Sequence, residues 1–122
     1  MSTSILAIVD LCTAQAIATS ATGYSNSVAF DKCQGNAAVL VTSAVGGATI
    51  SQQCSKDNVT FYDPVVAAGT ATGAVCTALT AADTPRYIAF SPIMAPYARF
   101  KIIEVGTGDL VISLRFCFRE EA

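Results

Sequence analysis

The feature that most limits what this chain can fold into is the alternation near its end. Leu110, Ile112, Leu114, Phe116 and Phe118 take one parity, while Ser113, Arg115 and Arg119 take the other. Side chains on an extended strand point to opposite faces in turn, so this stretch is a strand with one apolar face and one wet face. Gly106-Thr107-Gly108-Asp109 precedes it as a turn-forming cluster, and Arg99 to Val105 reads as the strand before that. Two such runs joined through four Gly, Thr and Asp residues predict a β-hairpin. Arg86 to Phe90 adds a third strand, joined through a loop bounded by Pro92 and Pro96. A lone hairpin cannot hide its apolar face from water, so the preceding chain must supply a second layer.

That preceding chain reads as more short strands. Ala37 to Ser43 is apolar on both parities and suits a central strand; Gly46-Gly47 breaks it, and Ala48 to Cys54 resumes as its hairpin partner. Ser27 to Phe30, Val59 to Tyr62 and Ala74 to Thr80 are further strands, with a turn at Gly23 to Asn26 and a loop over Asp31 to Asn36. In the turn Ser55-Lys56-Asp57-Asn58, Asp57 suits bonding to the backbone amides ahead of it, and Asn58 tolerates the left-handed conformation. Phe100 and Ile102 share one parity and Ile103 and Val105 the other, which predicts a bulge or a strand buried on both faces. Residues 1–22 suit a peripheral arm or edge strand: Ser4 can cap a short helix, yet Ile5, Ile8 and Val9 also suit a strand. Residues 23–122 form the single sandwich domain. Seven or eight short strands with turn signals about every ten residues give an all-β, antiparallel, jelly-roll-like β-sandwich with little helix.

Composition then narrows the function. Only 13% of the residues are charged, against about 25% in a typical domain, and a surface so poor in charge favours assembly with other proteins. The seven Lys and Arg residues are scattered, so nucleic acid is not an expected partner. The apolar run Ile5 to Val9 is far shorter than the roughly 20 residues that span a bilayer, and no basic residue precedes it as in an export signal. No membrane partner is expected.

Catalytic and metal chemistry find little support. Without histidine, Ser-His-Asp and Cys-His arrangements cannot be built. Five widely spaced cysteines with no Cys-x-x-Cys pair read as small buried residues in a reducing compartment rather than zinc ligands. Asp57 and Asp63 are a conceivable acid–base pair, and with Asn58 a conceivable calcium set, but both lie beside turn residues, where acids usually cap backbone. No enzyme activity, cofactor or metal is expected.

What remains is surface. Ile93 and Met94 sit at an apolar loop tip between two prolines, either plugging one end of the sandwich or anchoring a partner. Val65 and Val66 open an uncharged loop, Pro64 to Gly73, apolar enough to prefer a protein neighbour. Arg86, Tyr87, Tyr97 and Arg99 are the residue types that dominate interfaces. These eight are the candidate interface residues.

The order of these segments resembles a known family. An Ala/Thr/Ser-rich start and a central strand, Ala37 to Thr42, lead to the turn Ser55-Lys56-Asp57-Asn58-Val59-Thr60-Phe61-Tyr62. Then come Tyr97-Ala98-Arg99-Phe100, Gly106-Thr107-Gly108 and the final alternating strand. Over roughly Thr13 to Phe118 this is similar to the β-sandwich structural proteins of tailed bacteriophages, including capsid decoration (cement) proteins. It departs from them at Asn58, where glycine is common, and at Phe61 or Tyr62, where tryptophan is common. The resemblance implies a virion component, made in the host cytoplasm, that assembles as a homo-oligomer, often a trimer, on the outside of an icosahedral head. Its partner there would be the major capsid protein, and it would bridge neighbouring capsomers. A tail or head–tail adaptor of similar fold is the alternative. A carbohydrate-binding sandwich is a third reading, against which the absence of tryptophan counts.

Overall fold

The computed structural model describes residues 4–29, 33–45, 47–64, 74–80, 85–90, 93, 95–106 and 108–121. Nine strands are formed among them: β1 (Ser4–Ile17), β2 (Thr22–Tyr24), β3 (Val28–Ala29), β4 (Cys33–Val45), β5 (Gly47–Ser55), β6 (Ala74–Thr80), β7 (Arg86–Phe90), β8 (Tyr97–Glu104) and β9 (Leu110–Glu121). One sheet, here sheet A, has the order β1-β9-β4-β7; the other, sheet B, has β2-β8-β5-β6, with β3 also on β8. Every described pairing is antiparallel.

When β2 and β3 count as one interrupted strand, a simple rule emerges. The first strand pairs with the last, the second with the seventh, the third with the sixth and the fourth with the fifth. One long antiparallel ribbon rolled around itself gives this order, which is the jelly roll. The all-β antiparallel sandwich expected from the sequence is therefore the observed fold.

The core lies between the two sheets and follows strand parity. Leu110, Ile112, Leu114, Phe116 and Phe118 of β9 face Ala98, Phe100 and Ile102 of β8. Phe100 and Phe116 lie 5.5 Å apart, and Phe90 meets the edge of Phe100 at 5.8 Å, so a cluster of rings bridges the layers.

Several local expectations are corrected. Arg99–Val105 and Leu110–Phe118 are not a hairpin: β8 belongs to sheet B and β9 to sheet A. Likewise β4 and β5 face each other across the core instead of pairing. Inward-facing apolar residues alternate identically in both arrangements, so local pattern cannot separate them. The strands are also longer than expected, with β1, β4 and β9 at 14, 13 and 12 residues.

β8 has neither bulge nor double burial: Ala98, Phe100, Ile102 and Glu104 are buried and the intervening residues are not. Segment 59–62 is loop except for one bridge between Tyr62 and Cys54. Gly23 is in strand β2, not a turn. A Cβ there would come within 2.7 Å of Ile17 Cδ1, and glycine in a strand often marks such a close approach. Residues 4–11 are strand, not helix, and β1 lies at the edge of sheet A with Leu11 and Ile17 buried in the core.

Candidate interaction surfaces

The outer face of sheet B is covered by the chain's own loop. Alternation along β8 turns Tyr97, Arg99 and Lys101 outward, while β5 places Gln53 beside Arg99 and Ser51 beside Lys101. The segment after β5 then folds back over them. Ser55 Oγ accepts the amides of Asp57 and Asn58, Asp57 Oδ1 accepts those of Val59 and Thr60, and Asn58 takes φ 62°. The turn chemistry expected of Asp57 and Asn58 is present in full.

This turn delivers Phe61 onto Arg99. The guanidinium carbon lies 4.2 Å from the Phe61 ring centre and 4.1 Å from that of Tyr24, so the cation is held between two aromatic faces. Arg99 Nε donates to Gln53 Oε1 at 2.8 Å, Gln53 Nε2 donates to Asp63 at 3.0 Å, and Lys101 Nζ reaches Asp63 at 3.2 Å. These bonds from Gln53 and then Lys101 hold the Asp63 carboxyl below the usual carboxylate range; backbone amides of Thr60 and Val59 do the same for Asp57. Both acids are occupied in fastening the loop.

The loop before β8 is fixed by a residue the sequence reading missed. Gln52 is buried, its Oε1 accepts the Ile93 amide at 3.0 Å, and its Nε2 donates to the Ile93 carbonyl at 2.7 Å. A polar residue on the inward parity of β5, after Ala48 and Ile50, was the signal available. Ile93 itself is half-buried. Beside this loop, Cys54, Ser55, Lys56, Tyr62, Pro64, Ala95 and Pro96 line an open groove of about 300 Å³.

The outer face of sheet A is different. Pairing aligns Ile8, Cys117, Ala38 and Ala89 in one row, and Asp10, Arg115, Leu40 and Tyr87 in the next. Leu6 and Ile8 on β1 are 62% and 56% exposed, and Tyr87 on β7 is 66% exposed. Charge on this face includes Arg119 and the exposed pair Arg115–Asp10, at 2.7 Å.

The candidate interface residues thus divide. Tyr97 and Arg99 are on sheet B, Arg86 and Tyr87 on the edge strand of sheet A, and Ile93 at the loop held by Gln52. Met94, Val65 and Val66 lie outside the described residues. Leu6 and Ile8 were not among the candidates, because nothing local showed which parity of β1 would face water.

The chain matches no protein-family model and no curated protein in sequence. Its fold is shared with solved structures at low identity. The SPBc2 prophage-derived protein YomS aligns over 96% of both chains, with a TM-score of 0.55 at 9% identity. The Yersinia pseudotuberculosis-derived mitogen aligns over 97% of this chain and 87% of its own, with a TM-score of 0.50 at 9% identity. A protein of the Bacillus endospore appendages, described as disulfide-linked pili, aligns over 99% and 90%, with a TM-score of 0.50 at 13% identity.

Proposed function

We propose that this chain is a structural virion protein that decorates the outside of a phage head, where it contacts the major capsid protein, bridges neighbouring capsomers and associates with copies of itself. The observation that carries this reading is the outer face of sheet A, with Leu6, Ile8 and Tyr87 open to solvent on a chain of unusually low charge. Exposed apolar surface of this kind marks contact with another protein. Its likeness in fold to a prophage-derived protein accords with a virion role. On the outer face of sheet B, Gln53, Arg99 and Lys101 are engaged in fastening the 56–63 loop, which favours a scaffold over an enzyme.

Co-sedimentation tests the proposal. The purified chain is mixed with heads of the phage that encodes it, from which this protein has been deleted. It should pellet with the heads at saturable stoichiometry and raise the temperature at which they release DNA. Binding only to tails would transfer the role to a tail component. Failure to bind any particle, together with saturable binding on a glycan array, would replace the reading with a sugar-binding one.

A further inference from the structure

We infer that two copies of this chain exchange β1, each seating its first strand beside the other's β9, to form a reciprocally linked dimer. This deepens the self-association in the reading above and rests on that reading for its setting; the geometry belongs to the chain alone.

β1 reaches the rest of the sandwich through residues 18–21, and backbone strain falls there. Among the described residues, three other than glycine take positive φ: Ala14 at 48°, Ser20 at 61° and Asn58 at 62°. Asparagine tolerates that conformation, whereas alanine and serine are strained in it. Ala14 lies inside β1 and travels with it, so its strain is the same wherever β1 is seated. Ser20 lies in the connection, in the sharp return from β1 to β2, which the Ala21 amide closes by donating to the Ala18 carbonyl at 2.9 Å. Strain of this kind persists only where the surroundings impose it, and short strained hinges favour exchange of the element they join.

Contacts on either side of the hinge belong to different strands. Ile17 pairs with Leu110, and the Thr19 amide and hydroxyl donate to Asp109 at 3.0 Å, so the chain up to Thr19 is seated at the start of β9. From Ser20 onward it is seated on β8. The Ser20 amide donates to Glu104 Oε1 at 2.8 Å, the Glu104 amide donates to the Ala21 carbonyl at 3.0 Å, and Thr22 pairs with Ile103. Redirecting the path between Thr19 and Ser20 therefore leaves each residue with its carboxylate: Thr19 takes the second copy's Asp109, and Ser20 keeps its own Glu104. The bonds that the Leu11 carbonyl and the Gln15 side chain make to Asn26 and Tyr24 re-form across the two copies. Extension at Ser20 gives up the Ala21–Ala18 bond and releases the positive φ. The occupant of the vacated slot is fixed by the pairing β1 already makes with β9.

A cross-link between β1 and β9 reads the exchange directly. Ile8 and Cys117 stand opposite each other in the register, and opposite residues on antiparallel strands lie about 4.5–5.5 Å apart, within the span of a disulfide. Ile8→Cys is refolded at high concentration, fractionated by gel filtration and oxidised. Under denaturing, non-reducing conditions its dimer fraction should run as a covalent dimer and its monomer fraction as a monomer. The wild-type chain, oxidised alike, controls for the other cysteines. Ser20→Gly relaxes the closed turn and should lower the dimerisation constant about a hundredfold, tenfold at each of two hinges; Ser20→Val should raise it. Ser20→Gly carries the comparison should Ser20→Val fail to fold, as judged by circular dichroism. A dimer fraction whose bridge stays within one chain would overturn the inference. So would a wild-type chain that is monomeric at every concentration, or a Ser20→Gly chain that dimerises as tightly as wild type. Head binding is scored separately: heads bound by a chain whose bridge stays internal leave the decoration role standing, whereas an exchanged dimer that binds no head refutes that role alone.

Discussion

Glu104 should be worth about as much to this fold as a large apolar core residue. It stands at the inward-facing end of β8, 2% exposed, and its Oε1 accepts the Ser20 amide at 2.8 Å and the Gly106 amide at 2.6 Å. Those amides belong to two different crossovers between the sheets, so one carboxylate fastens both. A hydrogen bond to a charged group contributes about 1.5–3 kcal/mol, and a buried donor left without a partner costs a similar amount. Ser20 and Gly106 are both exposed residues, so water can reach their amides after truncation, and the lower end of the range applies to each. Glu104→Ala should therefore cost about 3 kcal/mol, against a total of roughly 6–18 kcal/mol for a domain of this length. In urea the midpoint should fall by roughly 1–3 M at constant slope. Glu104→Gln keeps an oxygen for both amides and should cost only about 1 kcal/mol. Should Gln prove as damaging as Ala, charge rather than acceptor geometry would be the source of the stability, and the reasoning would fail. An unchanged midpoint for Ala would refute it outright.

Other expectations follow from the same structure. Phe116→Ala empties the centre of the ring cluster and should cost about 3–5 kcal/mol, measured by the same urea titration. Asp57 and Asp63 both have carboxyls held below their ordinary values, so the fastening they provide is complete above the ordinary carboxylate pKa and is lost as pH falls through the depressed one. Hydrogen exchange by the Val59 and Thr60 amides, corrected for the intrinsic pH dependence, should lose protection only in that acid range. Asp57→Asn should lose part of it at neutral pH. Burial raises the Cys12 and Cys54 thiols above their ordinary range, so both should react slowly with a thiol reagent in the native state. Unfolding in denaturant without reductant should then release five reactive thiols; fewer would reveal disulfides.

The layers of this fold are legible in the sequence because alternation is a one-strand property. Leu110 to Phe118 announces its buried face without help from any other segment, and the fold class follows from several such runs separated by turns. Pairing is different in kind. Whether Gly106 to Asp109 returns the chain beside β8 or carries it to the other sheet depends on Glu104 and Asp109. Glu104 takes the Ser20 amide, and Asp109 accepts the amide and hydroxyl of Thr19 at 3.0 Å. These contacts join residues more than eighty positions apart, and a local reading has no access to them. The turn at Ser55 to Thr60 was readable for the opposite reason: its donors and acceptors lie within five residues of one another.

The candidate surfaces divide along the same line. Arg99 and Tyr97 stand out as interface residue types, yet Arg99 is enclosed by Tyr24, Phe61 and Gln53 of its own chain. Residue type alone cannot distinguish an arginine that recognises a partner from one that fastens a loop. Leu6 and Ile8 have the reverse history, since an apolar residue near the start of a β-rich chain reads as core by default. They face water because their neighbours Ala7 and Val9, opposite Phe118 and Phe116, take the inward parity and pack against the core. Polar residues turned inward and apolar residues turned outward are the two departures from simple patterning here. The first group, Gln52 and Glu104, fastens loops and crossovers; the second, Leu6, Ile8 and Tyr87, lies on β1 and β7, the outermost strands in the order β1-β9-β4-β7. Among the described residues, the inward polar groups thus find partners within the chain, while the outward apolar ones on β1 and β7 face solvent.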